Sequence, residues 1–228
     1  MWRPLLLTLL AGALVWGAFR PDAPVREQIV SSQGKSWKKS PEAKFHAGVR
    51  KWGDWPPLMA ACLVAFLAAR QVRSRRWMRI IAAAMVASTL AGIVANASRL
   101  TTGRTRPKES PKIAHGFYGP WHEGRLLIGQ PAYNSFPSGH TATAFGLASV
   151  VLFACPPAGV PALAGAVLVA WSSIVMGSHH PSDVTVSILL AFAVGWFVWR
   201  WMRGPGGSWV ERLERPPPQA AEQPSSAK

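Results

Sequence analysis

"IIAAAMVASTLAGIVANAS", residues 80–98, decides the class of fold. It holds no charged side chain, and at a helical rise of about 1.5 Å per residue it is long enough to cross the hydrocarbon core of a bilayer. Basic residues crowd both of its ends, "RQVRSRRWMR" (70–79) before it and "RLTTGRTRP" (99–107) after it. Other apolar runs lie on either side: "PLLLTLLAGALVWGAF" (4–19), "PPLMAACLVAFLAA" (56–69) and "VTVSILLAFAVGWFVW" (184–199). The stretch after His140 is uncharged as far as His179 and is too long for one helix. Its proline–glycine interruption "CPPAGVP" (155–161) predicts a break between helices near 141–154 and 161–178.

The expected architecture is therefore all-α: a polytopic membrane helical bundle of about six transmembrane helices. Composition agrees, with 49% hydrophobic and 15% charged residues among 228, and twelve tryptophans. Several of these (Trp2, Trp16, Trp55, Trp77, Trp199, Trp201) stand at the edges of apolar blocks, where their rings suit the membrane interface. The net charge of +15 is spread between apolar runs rather than over a soluble face. Such a distribution points away from nucleic acid and toward anionic headgroups or phosphorylated substrates. Both cysteines, Cys62 and Cys155, fall inside apolar runs and read as small buried hydrophobes, not as a disulfide or a metal site.

Four segments follow. Residues 1–19 are read as a first transmembrane helix rather than a cleaved signal peptide, because further spans follow and no tidy cleavage site is evident. Residues 20–55 form a basic extracytoplasmic or interfacial segment, in which "SPEAKFHAGVRKWGDW" (40–55) predicts a solvated or interfacial amphipathic helix. Residues 56–203 are expected to form the main membrane domain, and 204–228 have the composition of a disordered cytoplasmic tail. With six helices, the 70–79 arginines, Arg3, Arg200 and Arg203 share one face, cytoplasmic by the positive-inside rule. The eight basic residues of 20–54 oppose that orientation, but their segment is longer and also carries Asp22, Glu27, Glu42 and Asp54.

Three polar clusters then arrive at the opposite, extracytoplasmic ends of the helices: "RLTTGRTRP" (99–107), "PSGH" (137–140) and "GSHHPSD" (177–183). Singly, each has a plain structural explanation as a snorkelling anchor, a helix start or a cap. Together they hold the parts of a phosphoryl-transfer site. Arginines supply fixed charge and bidentate donors for phosphate. Ser138 and Gly139 at a helix start offer a hydroxyl and backbone amides to the same anion. Two separated histidines divide the work of nucleophile and general acid, and an aspartate four residues after one of them stabilises its charge.

These residues resemble the type 2 phosphatidic acid phosphatase superfamily, which includes glucose-6-phosphatase and the vanadium haloperoxidases. The family's first motif is Lys, six residues, Arg-Pro; here Arg99 stands for the lysine, followed by Arg106-Pro107, and the inner "GRTRP" (103–107) is similar to that of lipid phosphate phosphatases. The second motif, Pro-Ser-Gly-His, is intact at 137–140, and His179 and Asp183 keep the spacing of the third. The likeness covers roughly residues 50–200. It implies His179 as nucleophile, His140 as general acid and Asp183 as the residue orienting His179. Arg99, Arg106, Ser138 and Gly139 then bind phosphate, with Arg104 as a further candidate.

The implied activity is removal of phosphate from a lipid phosphate or diphosphate through a phosphohistidine, with no metal and no cofactor. The implied setting is a bacterial plasma membrane, with the site on its extracytoplasmic side and membrane lipids and a phosphorylated lipid as partners. His180 is read as a structural or substrate-rim neighbour of His179, and His115 and His122 as solvated loop residues. One departure stands out. The third-motif arginine falls at position 173, which is Ser173. Losing a phosphate-clamping arginine uncompensated costs about a thousandfold in rate, or about 4 kcal/mol. The alternative is thus a non-catalytic phospholipid-binding relic of the same fold. Arg104, Lys108, Lys112 and Arg125 in the outer loop are the sequence's candidates for compensation.

Overall fold

The computed structural model describes residues 2–203 except 35 and 111; the tail expected at 204–228 lies outside the described residues. Eight α-helices are described: α1 Trp2–Phe19, α2 Asp22–Ser32, α3 Pro41–Lys51, α4 Trp55–Gln71, α5 Arg75–Thr102, α6 Gly139–Ala154, α7 Pro156–Val175 and α8 Pro181–Arg203. Of these, α5, α7 and α8 are long and apolar enough to cross a membrane, and α3 with α4 is so only when taken together, as a pair bent by 60°. The described residues thus hold three or up to four candidate spans, roughly consistent with the expected six, with α1 and the shorter α6 as further apolar helices. A small antiparallel hairpin, β1 (Trp121–His122) with β2 (Arg125–Leu126), decorates the loop between α5 and α6.

Small side chains let the central helices approach closely. Ala83, Ala84, Ala87, Ala91 and Ala95 recur at helical spacing along the buried face of α5, opposite Ala142, Ala144 and Ala148 of α6. A Cβ added at Gly146 of α6 would sit 2.9 Å from the Ala87 carbonyl oxygen, so glycine is what the crossing requires. Ser88 Oγ donates to the Thr143 carbonyl at 2.9 Å across the same seam. Between helices surrounded by lipid there is no hydrophobic drive, and close packing of small residues with such polar contacts takes its place. The large apolar side chains point outward instead: Val64, Ile93, Trp171, Phe197 and Trp201 are all exposed.

Helix boundaries differ from the expected ones in two places. The 155–161 interruption does not separate helices by a loop: α6 ends at Ala154, Cys155 alone intervenes, and α7 begins at Pro156. Pro156 and Pro157 occupy the first turn, where the missing N–H has no intrahelical partner anyway, and only Pro161 lies inside the helix. At the other end, α5 runs on to Thr102 and stops at Gly103, whose φ of 55° closes the helix in the left-handed region. Arg99 therefore rides on the last turn of the helix rather than in the loop after it.

Segment 40–54 is amphipathic, as expected, but is not merely a solvated helix. Ser40 caps α3 by accepting from Ala43 N at 3.1 Å, and the buried face of α3 packs on α7. His46 Nδ1 meets Ser172 Oγ of α7 at 2.9 Å. This contact carries the turn between α3 and α4 into the interior of the bundle.

Candidate active site

The start of α4, the end of α5, the start of α6, the end of α7 and the start of α8 all converge at one end of the bundle. Arg76, near the start of α5, reaches the Ala154 carbonyl at 3.5 Å, so the arginine-rich turn lies at the opposite end. The three polar clusters are thereby brought together. Arg99 Nε donates to the Pro137 carbonyl at 2.8 Å, Ser138 N to the Asp183 carbonyl at 3.4 Å, and an Arg106 terminal nitrogen to the Asn134 carbonyl at 3.4 Å.

His179 is 1% exposed. Its Nδ1 lies 2.7 Å from the Ser135 carbonyl oxygen, which can only accept, so the proton sits on Nδ1 and the lone pair on Nε2. The expected partner, Asp183, stands farther off, with Oδ2 at 3.8 Å from Nδ1. Its charge acts at ion-pair range while a backbone carbonyl sets the ring's tautomer. Burial pushes the imidazole down to about 4; Asp183 opposes this, and the charges of Arg99 and Arg106 reinforce it. At neutral pH the ring is uncharged.

Asp183 sits in the first turn of α8 and is itself tightly held. Ser135 Oγ donates to Oδ2 at 2.5 Å, His180 N donates to Oδ2 at 2.7 Å, and Arg104 binds Oδ1. The other terminal nitrogen of Arg104 meets Asp22 Oδ2 at 2.6 Å, and Asp22 also accepts from Ser182 N at 3.0 Å and Ser182 Oγ at 2.6 Å. Arg104 is 1% exposed and lies under the rings of Phe19, Phe117 and Phe136. Both terminal nitrogens of its guanidinium are held by carboxylates, and its Nε is a buried atom with no hydrogen-bond partner among the described residues.

Arg99 is bonded to the Pro137 carbonyl and Asn96, and Arg106 to the Asn134 carbonyl, where Arg104 binds carboxylates. Arg99 Nη2 and Arg106 Nε are buried atoms with no hydrogen-bond partner among the described residues. The Arg99 guanidinium lies against Gly139: a Cβ there would be 2.9 Å from Nη2. Gly139 opens α6, so the amides of its first turn have no intrahelical acceptors. Ser138 Oγ shares a hydrogen bond with Thr141 Oγ1 at 2.9 Å. Burial first, and then the charge of Arg50, pull Arg106 below the ordinary guanidinium value.

His140, second residue of α6, has Nε2 2.6 Å from Asp54 Oδ1, and its Nδ1 is a buried atom without a partner among the described residues. The neighbouring Gly53 makes this approach possible, since a Cβ on it would lie 2.8 Å from that of His140. Thr143 Oγ1 donates to the Gly53 carbonyl at 2.5 Å and locks the turn. One helical turn earlier, Arg50 donates to Ser178 Oγ at 3.1 Å, beside His179.

Ser173 is fully buried, with Oγ bonded to the Val169 carbonyl at 2.9 Å within α7. Its own carbonyl accepts from Ser178 N at 3.1 Å and His179 N at 3.3 Å and so anchors the turn carrying the histidine. His180 faces the other way: its Nε2 donates to the Thr105 carbonyl at 3.1 Å and its ring stacks on His115 at 4.7 Å. It ties down the outer loop, and burial holds its pKa to about 4. His122 packs on Tyr118 in that loop. Among the described residues no group of three or more His, Cys, Asp or Glu side chains is arranged to hold a metal ion.

Sequence reasoning missed Arg50, Asp54, Asp22 and Ser135. Ser135 lies two residues outside a recognised motif; the others lie in the basic segment, and no local pattern sets them apart. One sign was available: a Gly-Asp pair (53–54) directly before an apolar run places an acid at a helix start.

The chain is similar to known proteins in sequence and in fold. Over 108 residues the chain is 35% identical to a lipid A 1-phosphatase of Rhizobium etli, covering 46% of this chain and 42% of that one. Over 79 residues it is 34% identical to an undecaprenyl-diphosphatase of Bacillus subtilis (strain 168), covering 35% and 41%. It thus spans about two fifths of the length of the curated relatives it matches. Its fold superimposes on that of a transmembrane PAP2-type phosphatidylglycerolphosphate phosphatase from Bacillus subtilis with a TM-score of 0.54 at 16% identity, over 87% of this chain and 94% of that one. A model of the PAP2 superfamily matches residues 80–205. That match takes in all three motifs and more than half of the sequence: the chain belongs to the PAP2 superfamily.

Proposed function

We propose that this chain is an integral-membrane phosphatase that removes phosphate from a lipid phosphate or diphosphate. The observation that carries this is the His179 ring, buried, with Nδ1 committed to a carbonyl and Nε2 left as the lone-pair nitrogen, in a cluster with two arginines that keep unpartnered nitrogens. The relatives' activities on lipid A and on undecaprenyl diphosphate support the substrate class.

In the proposed reaction the phosphoryl oxygens lie among Arg99, Arg106 and the first-turn amides at Gly139. His179 Nε2 attacks phosphorus in line; the N–P bond forms as the bond to the lipid oxygen breaks. Asp183, close by, supports the positive charge that develops on the ring. His140, with Nε2 held by Asp54, delivers a proton to the departing oxygen. Water then attacks the phosphohistidine, His140 takes the water's proton, and phosphate and free His179 are regenerated. The fixed arginine charges do the electrostatic work, so the mechanism calls on no metal. The site opens on the extracytoplasmic side, because the arginines of the 70–79 turn lie at the far end of the helices.

The test is phosphate release by the purified chain in detergent from phosphatidic acid, phosphatidylglycerol phosphate, an isoprenyl diphosphate and lipid A. Turnover of at least one, abolished by His179→Ala, is expected; no release from any, or release indifferent to that substitution, overturns the proposal. Ser173 favours a second reading, a phospholipid-binding relic, which binding without turnover would establish.

A further inference from the structure

The arginine absent from position 173 leaves a specific gap in the charge arrangement, and the outer-loop candidates do not fill it. Arg104 is consumed by Asp22 and Asp183. Lys108 and Lys112 line a cavity beside α2 and α3 with Trp37 and Lys44, and Arg125 lies exposed on the hairpin. The segment that does reach the place is α3. Arg50 donates to Ser178 Oγ at 3.1 Å, and Ser178 N is bonded at 3.1 Å to the carbonyl of Ser173 itself. Four residues on, Asp54 binds His140 at 2.6 Å. One turn of chain thus reaches, through Arg50, the neighbour of His179 and, through Asp54, His140.

We propose that Arg50 supplies the phosphate-clamping guanidinium that the family's third motif would place at Ser173. The geometry suits the exchange. A small Ser173 lets α7 keep its buried packing, and the cation enters from α3 on the same side of the 177–179 turn. Arg50 is half-buried, and its hydroxyl partner leaves the guanidinium with further N–H groups for phosphoryl oxygens. Its charge also bears on Arg106, pulling that guanidinium below its ordinary value. The inference rests on the phosphatase proposal for its chemistry, but its binding component stands apart from turnover.

The test uses the full chain in detergent, with inorganic phosphate binding by calorimetry, orthovanadate inhibition and kcat/KM on the lipid that the wild type turns over. Arg50→Ala is expected to weaken phosphate and vanadate binding about tenfold or more and to lower kcat/KM about a hundredfold or more. Added guanidinium ion is expected to restore part of the turnover. Lys51→Ala, which removes the same charge from an exposed neighbour, is expected to stay within about twofold of wild type. If Arg50→Ala behaves like Lys51→Ala, the inference falls and the phosphatase proposal survives. If wild type binds phosphate without turnover and Arg50→Ala weakens that binding, Arg50 stands and the phosphatase proposal falls. Should Arg50→Ala lose its melting transition, Arg50→Lys replaces it: a drop of about tenfold supports the inference, and parity with wild type overturns it.

Discussion

Arg104 and Asp183, seventy-nine positions apart, form a buried ion pair at the start of α8, and Asp22 of α2 closes it into a triad. All three are shielded from water, with relative exposures of 1%, 0% and 4%. The carboxylate beside His179 is thus part of the tertiary framework.

Breaking this triad is expected to unfold the site before it alters the chemistry. Removing one partner of a buried ion pair leaves an uncompensated charge and costs about 3–5 kcal/mol. Asp22→Ala and Arg104→Ala should each lower the melting temperature markedly in detergent, measured by intrinsic tryptophan fluorescence. Unchanged melting in both would remove the structural role assigned to Arg104.

The low pKa of His179 sets the acid side of the pH behaviour. Its ring, near 4 in the fold and near its ordinary value when unfolded, takes up a proton on unfolding between these limits. Stability should therefore fall as pH drops from about 6.5 toward 4, with His180 contributing in the same direction. Because the nucleophile stays neutral down to about 4, kcat/KM should show no loss near pH 6.5 from His179 protonation. A pH series of melting temperature and kcat/KM checks both. A His179 resonance titrating near 6.5 by NMR would refute them.

Asp54 is expected to matter for the rate rather than for substrate affinity. Its carboxylate is bonded to His140 Nε2 at 2.6 Å. Asp54→Asn should lower kcat about tenfold to a hundredfold and leave KM within about threefold. An effect confined to KM would place Asp54 in lipid binding instead.

Gly139→Ala tests the contact between the second motif and the first. The added methyl falls 2.9 Å from Arg99 Nη2, so the guanidinium must move. The substitution should weaken orthovanadate inhibition about tenfold while the melting temperature changes little, because the far end of a flexible side chain gives way. Unaltered inhibition would show that Arg99 does not hold the anion.

Motif residues kept at short sequence spacing were legible from the start: Pro-Ser-Gly-His at a helix entry, and His179 four positions before Asp183. The apolar runs revealed the helices for the same local reason, since a membrane span must satisfy its backbone internally and show apolar side chains to lipid. Helix ends were less legible. Prolines at 156 and 157 looked like a break and are a first turn, because the missing N–H costs nothing there. Roles were least legible. Arg104, in a recognised motif, turned out to bind carboxylates, while Arg50 and Asp54, in a segment with no motif, lie beside both histidines.

The sequence by itself determined the class, the helical membrane architecture and the two histidines, because hydrophobic length and short-range spacing are local properties. Only the tertiary structure decided which guanidinium is paired with carboxylates, which carbonyl sets the tautomer of His179 and what stands near Ser173. Those outcomes depend on contacts between residues tens to over a hundred positions apart, and the energy of a buried charge is set by the partners that packing brings to it.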